Sequence, residues 1–268
     1  MPLIALNRIE KTELFDLFFQ LKKQSEVHPK AKEEIMTAIR CLKAIHSNAI
    51  EDRSIDRVFL QILLHNAGIA NKADISAKYQ HAQMEILGQQ KMLIELEKKA
   101  YAGEDMSISM LLAMHRTVFQ ESWPDRAGVF RTHEVQISAM QHRPPHASKI
   151  SETLHQQFAN INAELVALKT VSAENFWDIF SLSARLHYLV AGVHPFEDGN
   201  GRVARASGDY IYLRFGMFFD VITTDYRDKY LDALEESDFM DVTPLANFLQ
   251  YSYLETLKRI STFFHLLS

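Results

Sequence analysis

Helical periodicity runs through this chain with few interruptions, and nothing else in the sequence restricts the fold as much. Only 9 Gly and 7 Pro occur in 268 residues. These are the two residue types that most disfavour a helix interior, so their scarcity leaves room for long helices. Phe176, Ile179, Phe180, Leu186, Leu189 and Val190 recur at three-to-four spacing and form one apolar stripe. Ile150, Leu154, Phe158, Ile161 and Leu165 do the same after Pro144-Pro145, and Leu245, Phe248, Leu249, Ser252 and Tyr253 begin another stripe. Segments 30–46, 55–66, 76–101 and 107–120 also carry the helical pattern. Strand signal is confined to Glu134-Val135-Gln136-Ile137-Ser138, a short alternation between turn-rich flanks. The expectation is an all-α fold with one short β-hairpin. No repeat or flexible linker interrupts it, so the N-terminal part should pack on the rest as one helical unit.

Charge and cysteine content narrow the function. The formal net charge is −5 and the basic residues cluster no further than pairs such as Lys22-Lys23, which argues against a nucleic-acid partner. The lone cysteine, Cys41, excludes an intrachain disulfide and lies among Ala38, Ile39, Leu42 and Ile45, as a small core residue would. The N-terminal apolar stretch is too short for a signal-peptide core, and no apolar run approaches the roughly 18 residues of a membrane span. A soluble, cytoplasmic protein with no membrane partner is expected. Neither a P-loop pattern nor H-E-x-x-H occurs.

One connection between two expected helices has an unusual composition. It reads His194-Pro195-Phe196-Glu197-Asp198-Gly199-Asn200-Gly201-Arg202, with Arg205 one turn further on. Gly199 and Gly201 permit positive φ and close approach of a ligand to the backbone. The N–H groups of Gly199 to Arg202, at a helix start, can cradle phosphate oxygens. Arg202 adds a fork of donors suited to phosphate. Asp198 is a hard oxygen ligand of the kind Mg²⁺ takes, and His194 titrates near neutrality and can accept a proton. An ordinary Gly-Asn-Gly turn stiffened by Pro195 and anchored by Phe196 would explain part of the loop. It leaves Asp198, Asn200, Arg202, Arg205 and His194 without a reason to be together.

Residues His194 to Arg205 read H-P-F-E-D-G-N-G-R-V-A-R, which resembles the signature H-P-F-x-D/E-G-N-G/K-R-x-x-R of the Fic family at every fixed position. Leu111 to Phe119, Ala127-Gly128-Val129-Phe130-Arg131 and Tyr226 to Leu249 are similar to further parts of that fold. The resemblance implies a helical bundle with a hairpin flap, in which Val135, Gln136, Ile137 and Ser138 would line up a target segment. It divides the chain into an N-terminal helical region at 1–106, a core at 107–255 and a helical tail at 256–268. It also implies protein adenylylation, with ATP and Mg²⁺ as cofactors and a Ser, Thr or Tyr hydroxyl of a target protein as acceptor. His194 would then be the base, Asp198 the metal ligand, and Asn200, Arg202 and the amides of Gly199 and Gly201 the groups that stabilise phosphate charge. Arg205 would meet the γ-phosphate, Glu197 would be solvated, and Tyr230 would stand beside the base, with Leu231 altering the pocket wall.

Many Fic relatives carry an inhibitory helix of the pattern S/T-x-x-x-E-G/N. Ser47-Asn48-Ala49-Ile50-Glu51-Asp52 resembles it, except that Asp52 replaces Gly or Asn. The resemblance therefore implies that a helix at about 40–52 presents Glu51, with Ser47, to Arg205 and restrains the enzyme. Two readings stay open beside it. Glu51 could instead serve the reverse reaction, removal of AMP from a modified protein. The chain could be a regulatory nucleotide-binding module without turnover. Self-modification and homodimerisation are further expectations of the same resemblance.

Overall fold

The computed structural model describes residues 4–52, 77–137 and 143–267. Its first helix, α1 (Arg8–Val27), starts on a capping box. Asn7 Oδ1 accepts from the N–H groups of Ile9 and Glu10 at 2.9 and 3.1 Å, and Glu10 returns the bond to Asn7 N–H at 2.8 Å. Leu14, Phe18 and Leu21 are fully buried along one face. Phe15 and Phe18 meet Phe176 at centroid distances of 5.3 Å, which fixes α1 against the helix that Phe176 opens.

Helix α2 (Pro29–Glu51) begins with Pro at its first position, where the missing N–H costs nothing. Its first half is amphipathic, with Ile35, Met36 and Ile39 inward. From Lys43 to Ile50 all but His46 are buried, polar ones included. Helices α3 (Ala77–Ala102) and α4 (Ile108–Phe119) follow; the Ser107 hydroxyl caps α4 by accepting from Met110 N–H at 3.2 Å. Then come α5 (Ile150–Leu168), α6 (Phe176–Val193), α7 (Asn200–Arg214), α8 (Arg227–Glu235) and α9 (Thr243–Leu267).

Helices α6 and α7 form the centre. They pack closely at Gly208, where a Cβ would lie 3.2 Å from Ser183 Oγ, and Ser183 Oγ donates to Gly208 C=O at 2.9 Å. Both are buried almost along their whole length; α6 is mostly apolar, whereas α7 buries Asn200, Arg202, Arg205, Ser207 and Asp209 among its apolar residues. Helices α2, α3 and α9 surround them.

Helix α2 is bound to this centre by charge as well as apolar contact. Lys43 Nζ lies 2.6 Å from Asp209 Oδ2 of α7, with side-chain exposures of 3% and 2%. It also donates to Asp220 C=O at 2.8 Å. Asp220 accepts from Ser252 and Thr256 of α9 at 2.8 and 3.0 Å, so four separate segments meet around one lysine. Burial pushes the carboxyl of Asp209 up to about 6 and that of Asp220 up to about 7, against the pull of Lys43.

The helical expectation holds among the described residues, with differences at particular places. Segment 55–66 lies outside the described residues. The alternating residues Val135, Gln136 and Ile137 are coil, and no strand occurs among the described residues. No backbone ladder pairs them there, and Ser138, the fourth residue of the expected hairpin, is outside the described residues. Helix α9 runs unbroken from Thr243 to Leu267, across the expected 255/256 boundary.

Gly88 marks where α3 crosses α4: a Cβ there would lie 2.4 Å from Val118 C=O and 2.9 Å from Thr117 C=O, both backbone atoms that cannot rotate aside. Gly88→Ala is expected to lower stability by about 1–3 kcal/mol, despite the better helix propensity of Ala. A urea midpoint equal to or above that of the parent would contradict the crossing.

Candidate active site

The segment from His194 to Gly199 turns the chain from the end of α6 into the start of α7. His194 closes α6 in the left-handed region, with φ 50° and ψ 58°, an uncommon conformation for a residue other than Gly. Arg131 supports it. Its Nε donates to His194 C=O at 2.8 Å, and its terminal nitrogens donate to the carbonyls of His133, Pro145 and Val193 at 2.7, 2.7 and 3.4 Å. One buried guanidinium thus satisfies orphan carbonyls at the end of α6 and ties them to the segments around 133 and 145. Arg131 N–H also donates to Pro195 C=O at 2.9 Å.

His115 of α4 holds the other side of the loop. Its Nδ1 accepts from Gly128 N–H at 2.9 Å, so in the neutral ring Nε2 carries the proton and donates to Asp198 C=O at 3.0 Å. The ring is 1% exposed and stacks on Phe196 at 3.8 Å. Burial lowers its pKa to about 4. Asn200 completes the turn: its amide accepts from Phe196 N–H and donates to Phe196 C=O, both at 2.9 Å.

Gly199 is required by its backbone and its surroundings, and Gly201 leaves room for a neighbouring side chain. Gly199 has φ 78°, and a Cβ there would lie 2.3 Å from the Phe119 ring. At Gly201 a Cβ would lie 2.3 Å from Glu51 Oε1. Glu51 therefore reaches the first turn of α7, where the unpaired N–H groups favour an anion. It also meets Arg205, with Oε1 2.6 Å from NH2. The Ser47 hydroxyl and carbonyl accept from Arg205 Nε and NH2 at 2.9 and 2.7 Å. Arg202 is likewise enclosed. Its NH1 donates to Glu85 of α3 and, at 3.1 Å, to Asn48 Oδ1; its NH2 donates to Asp198 Oδ1 at 3.3 Å.

His194, Asn200, Gly201, Arg205, Glu51, Tyr230 and Ile137 line one cavity of about 120 Å³, walled further by Ile50, Arg227, Leu231 and Leu234. With Glu51 in place that is below the roughly 300–1,000 Å³ of an ordinary small-molecule site. A larger surface groove of about 310 Å³ beside Arg185 and Phe239 lacks such a convergence of donors. Within the cavity His194 Nδ1 donates to Ala191 C=O at 3.3 Å, which leaves Nε2 as the lone-pair nitrogen. Burial and the nearby Arg131 lower its pKa, against the pull of the Ala191 bond, Glu51 and Asp198. Tyr230 is 1% exposed, and its hydroxyl bonds His187 Nε2 at 2.8 Å, so it supports Arg205 from beneath. Asp198 is 61% exposed, a single carboxylate; among the described residues no group of three His, Cys, Asp or Glu is placed to hold a metal. Glu197 is not solvated as expected: it is 17% exposed and pairs with Arg126 at 2.6 Å. Val135 and Gln136 lie outside the cavity lining.

Sequence reasoning brought Glu51, Ser47, Arg205, His194 and the loop together. It missed the work of His115 and Arg131, although both lie in segments that resemble the family, and it missed Glu85, Asn48, Lys43 and Arg227. Arg227 Nε donates to Ile50 C=O at 2.6 Å and so caps the end of α2.

Residues 105–212 match the model of the Fic/DOC family. Among curated proteins, protein adenylyltransferase Fic of Nematostella vectensis is 27% identical over 205 residues, covering 76% of this chain and 44% of that protein. The protein of the same name from Drosophila melanogaster is 26% identical over 224 residues, covering 78% and 43%. The chain thus spans less than half the length of these curated relatives. Among solved structures, a Fic-domain signalling protein of Bacteroides thetaiotaomicron superimposes with a TM-score of 0.75 at 18% identity, over 94% of this chain and 97% of that one. Fic-1 of C. elegans does so with a TM-score of 0.71 at 22% identity, over 97% and 74%. A helical bundle whose central pair is joined by this loop is the Fic fold. Residues 105–212 thus match a Fic domain, and the chain is similar to Fic family proteins over about three quarters of its length.

His115 makes stability pH-dependent in a defined sense. The unfolded chain binds a proton at the ordinary histidine value of 6.5, whereas the folded protein resists it to about 4. The unfolded state therefore holds more protons in that window, and stability falls as pH drops through it, by about 3 kcal/mol in all. Asp209 and Asp220 change it in the opposite sense. The comparison is therefore with His115→Gln, whose urea stability should fall about 3 kcal/mol less than the parent's between about pH 7 and pH 4. Parallel pH curves would refute the fixed neutral tautomer.

Proposed function

We propose that this chain is a protein adenylyltransferase, which transfers AMP from ATP to a hydroxyl of a target protein, and that Glu51 restrains it. One observation carries the reading. His194, the first turn of α7 and Arg205 line one cavity, and a carboxylate already occupies the place suited to an anion. The relatives named protein adenylyltransferase support the nucleotide and the reaction type.

In this mechanism His194 Nε2 takes the proton of the target hydroxyl as its oxygen bonds to the α-phosphorus. The bond from that phosphorus to the bridging oxygen breaks, and pyrophosphate leaves. Burial keeps His194 neutral, and the Ala191 bond orients its ring for this task. The amides of Gly199 and Gly201, with Arg202, hold phosphate oxygens at the helix start, and Arg205 holds the γ-phosphate once Glu51 withdraws. Asn200, engaged with Phe196 on both sides of its amide, keeps the loop in shape. Asp198 fits Mg²⁺, being a solvent-open carboxylate of the kind that binds the ion together with water and phosphates, and the ion would neutralise phosphate charge there. Tyr230 fixes the cavity floor, and Ile137 with its neighbours Val135, Gln136 and Ser138 would receive the target segment. In this reading the transferase core is 107–255, preceded by the region that carries the restraint and followed by the tail at 256–268.

A second reading rests on the exposure of Glu51. Its side chain is 38% exposed and lines the cavity with His194, so it can orient a water for removal of AMP from a modified protein. Release of AMP when modified protein is supplied would favour that direction.

The main test is intact-mass analysis of candidate acceptors after incubation with ATP and Mg²⁺. Glu51→Gly should raise AMP transfer about tenfold or more, since the carboxylate no longer competes for Arg205. His194→Ala should lower transfer by about 10²–10⁴ while ATP remains bound. If Glu51→Gly binds ATP yet transfers nothing faster, the restraint is wrong; full activity in His194→Ala would remove it as the base.

A further inference from the structure

We propose that Glu85 is a second restraining carboxylate, which engages Arg202 as Glu51 engages Arg205. The inference rests on the nucleotide-binding reading above and extends it to a second helix. The inhibitory-helix pattern covers only α2, whereas Glu85 lies on α3.

The geometry around Arg202 is that of an arginine already in use. Its side chain is 4% exposed, and the guanidinium lies over the Phe119 ring at 4.5 Å. NH1 donates to Glu85 Oε2 and to Asn48 Oδ1, while NH2 donates to Asp198 Oδ1. Two carboxylates therefore face one cation, and the immediate charge around Arg202 sums to about −1. A polyphosphate that approaches this point meets no net positive field until a carboxylate leaves. Asp198 is open to solvent and sits on the loop itself, so it can turn toward a bound ion. Glu85, 20% exposed, is held from outside the loop and can leave only if its side chain or α3 moves.

The two restraints are joined. Asn48, which follows Ser47 on α2, accepts from Arg202 and donates through Nδ2 to Gln89 Oε1 at 2.7 Å. Gln89 stands four residues beyond Glu85, one turn along the same face of α3. A single buried amide thus links the helix that holds Arg205 to the helix that holds Arg202. Withdrawal of Glu51 alone leaves Arg202 paired, so the site is only half released.

The test uses the full chain in four forms: parent, Glu51→Gly, Glu85→Gln and the double variant. Affinity for a non-hydrolysable ATP analogue with Mg²⁺ is measured by calorimetry, and the thermal midpoint with and without the analogue. Glu85→Gln should tighten binding about tenfold in the Glu51→Gly background. Without nucleotide its midpoint should fall, because Arg202 loses the more buried of its two carboxylate partners. With the analogue the deficit should shrink, because phosphate replaces that partner. A purely structural role lowers both midpoints equally and leaves affinity unchanged, which overturns the proposal. Weaker binding also overturns it, since Glu85 would then be orienting Arg202 for phosphate. If Glu85→Gln does not fold, Glu85→Asp, which keeps the charge but shortens the reach, decides by the same affinity change. Failure of all forms to bind the analogue overturns the nucleotide reading itself; binding by Glu51→Gly that Glu85 variants leave unchanged overturns this inference alone.

Discussion

The seating of α2 on α7 by buried charge is the constraint on which the site depends. The two helices meet in antiparallel register, with Lys43 against Asp209, Ser47 and Glu51 against Arg205, and Asn48 against Arg202. Lys43, Ser47 and Glu51 are one turn apart along α2, as Asp209 and Arg205 are along α7, so these contacts share one face, and Asn48 beside Ser47 reaches Arg202 nearly a turn further along α7. An unpaired buried charge costs about 3–5 kcal/mol, so a slip by one turn would strand several charges together. Apolar packing tolerates a sliding helix better than this ladder does. The reach of Glu51 to Arg205 is in this sense set two turns away, at Lys43.

The loop is rigid for a related reason: its backbone polar groups are engaged by side chains from elsewhere. Arg131 gathers four carbonyls around the end of α6, His115 takes the carbonyl of Asp198, and Asn200 clasps Phe196. None of these three needs to touch a substrate to matter. Groups fixed before the reaction need not reorganise during it, and that is how oriented dipoles become effective. The uncommon φ of His194 persists because the structure around it leaves no alternative.

Much of the fold was legible because helices write their periodicity locally. The stripes after Pro144-Pro145 and from Phe176 correspond to α5 and α6, and the segment 107–120 to α4. Helix α1 was missed although its signals are present, since Asn7 and Glu10 stand at capping-box spacing before Leu14, Phe18 and Leu21. The loop was legible because its residues adjoin in sequence. The partners of its arginines were legible only where a local pattern marked them, as Ser47 and Glu51 do. Glu85, 117 residues from Arg202, has no such mark: one more Glu on a helix is indistinguishable from a solvated one until the fold is known. The same holds for Asp209, which looks like a poor choice inside a buried helix until Lys43 is found beside it.

Gly201 carries a consequence of its own. The space its missing Cβ leaves is filled by Glu51 Oε1, so a side chain at position 201 would push that carboxylate out of its present place. The signature this loop resembles admits Lys as well as Gly there. Position 201 therefore works as a keyway. Kept empty, it lets a carboxylate from another helix sit close against the start of α7, and here that carboxylate is the acid at the end of α2.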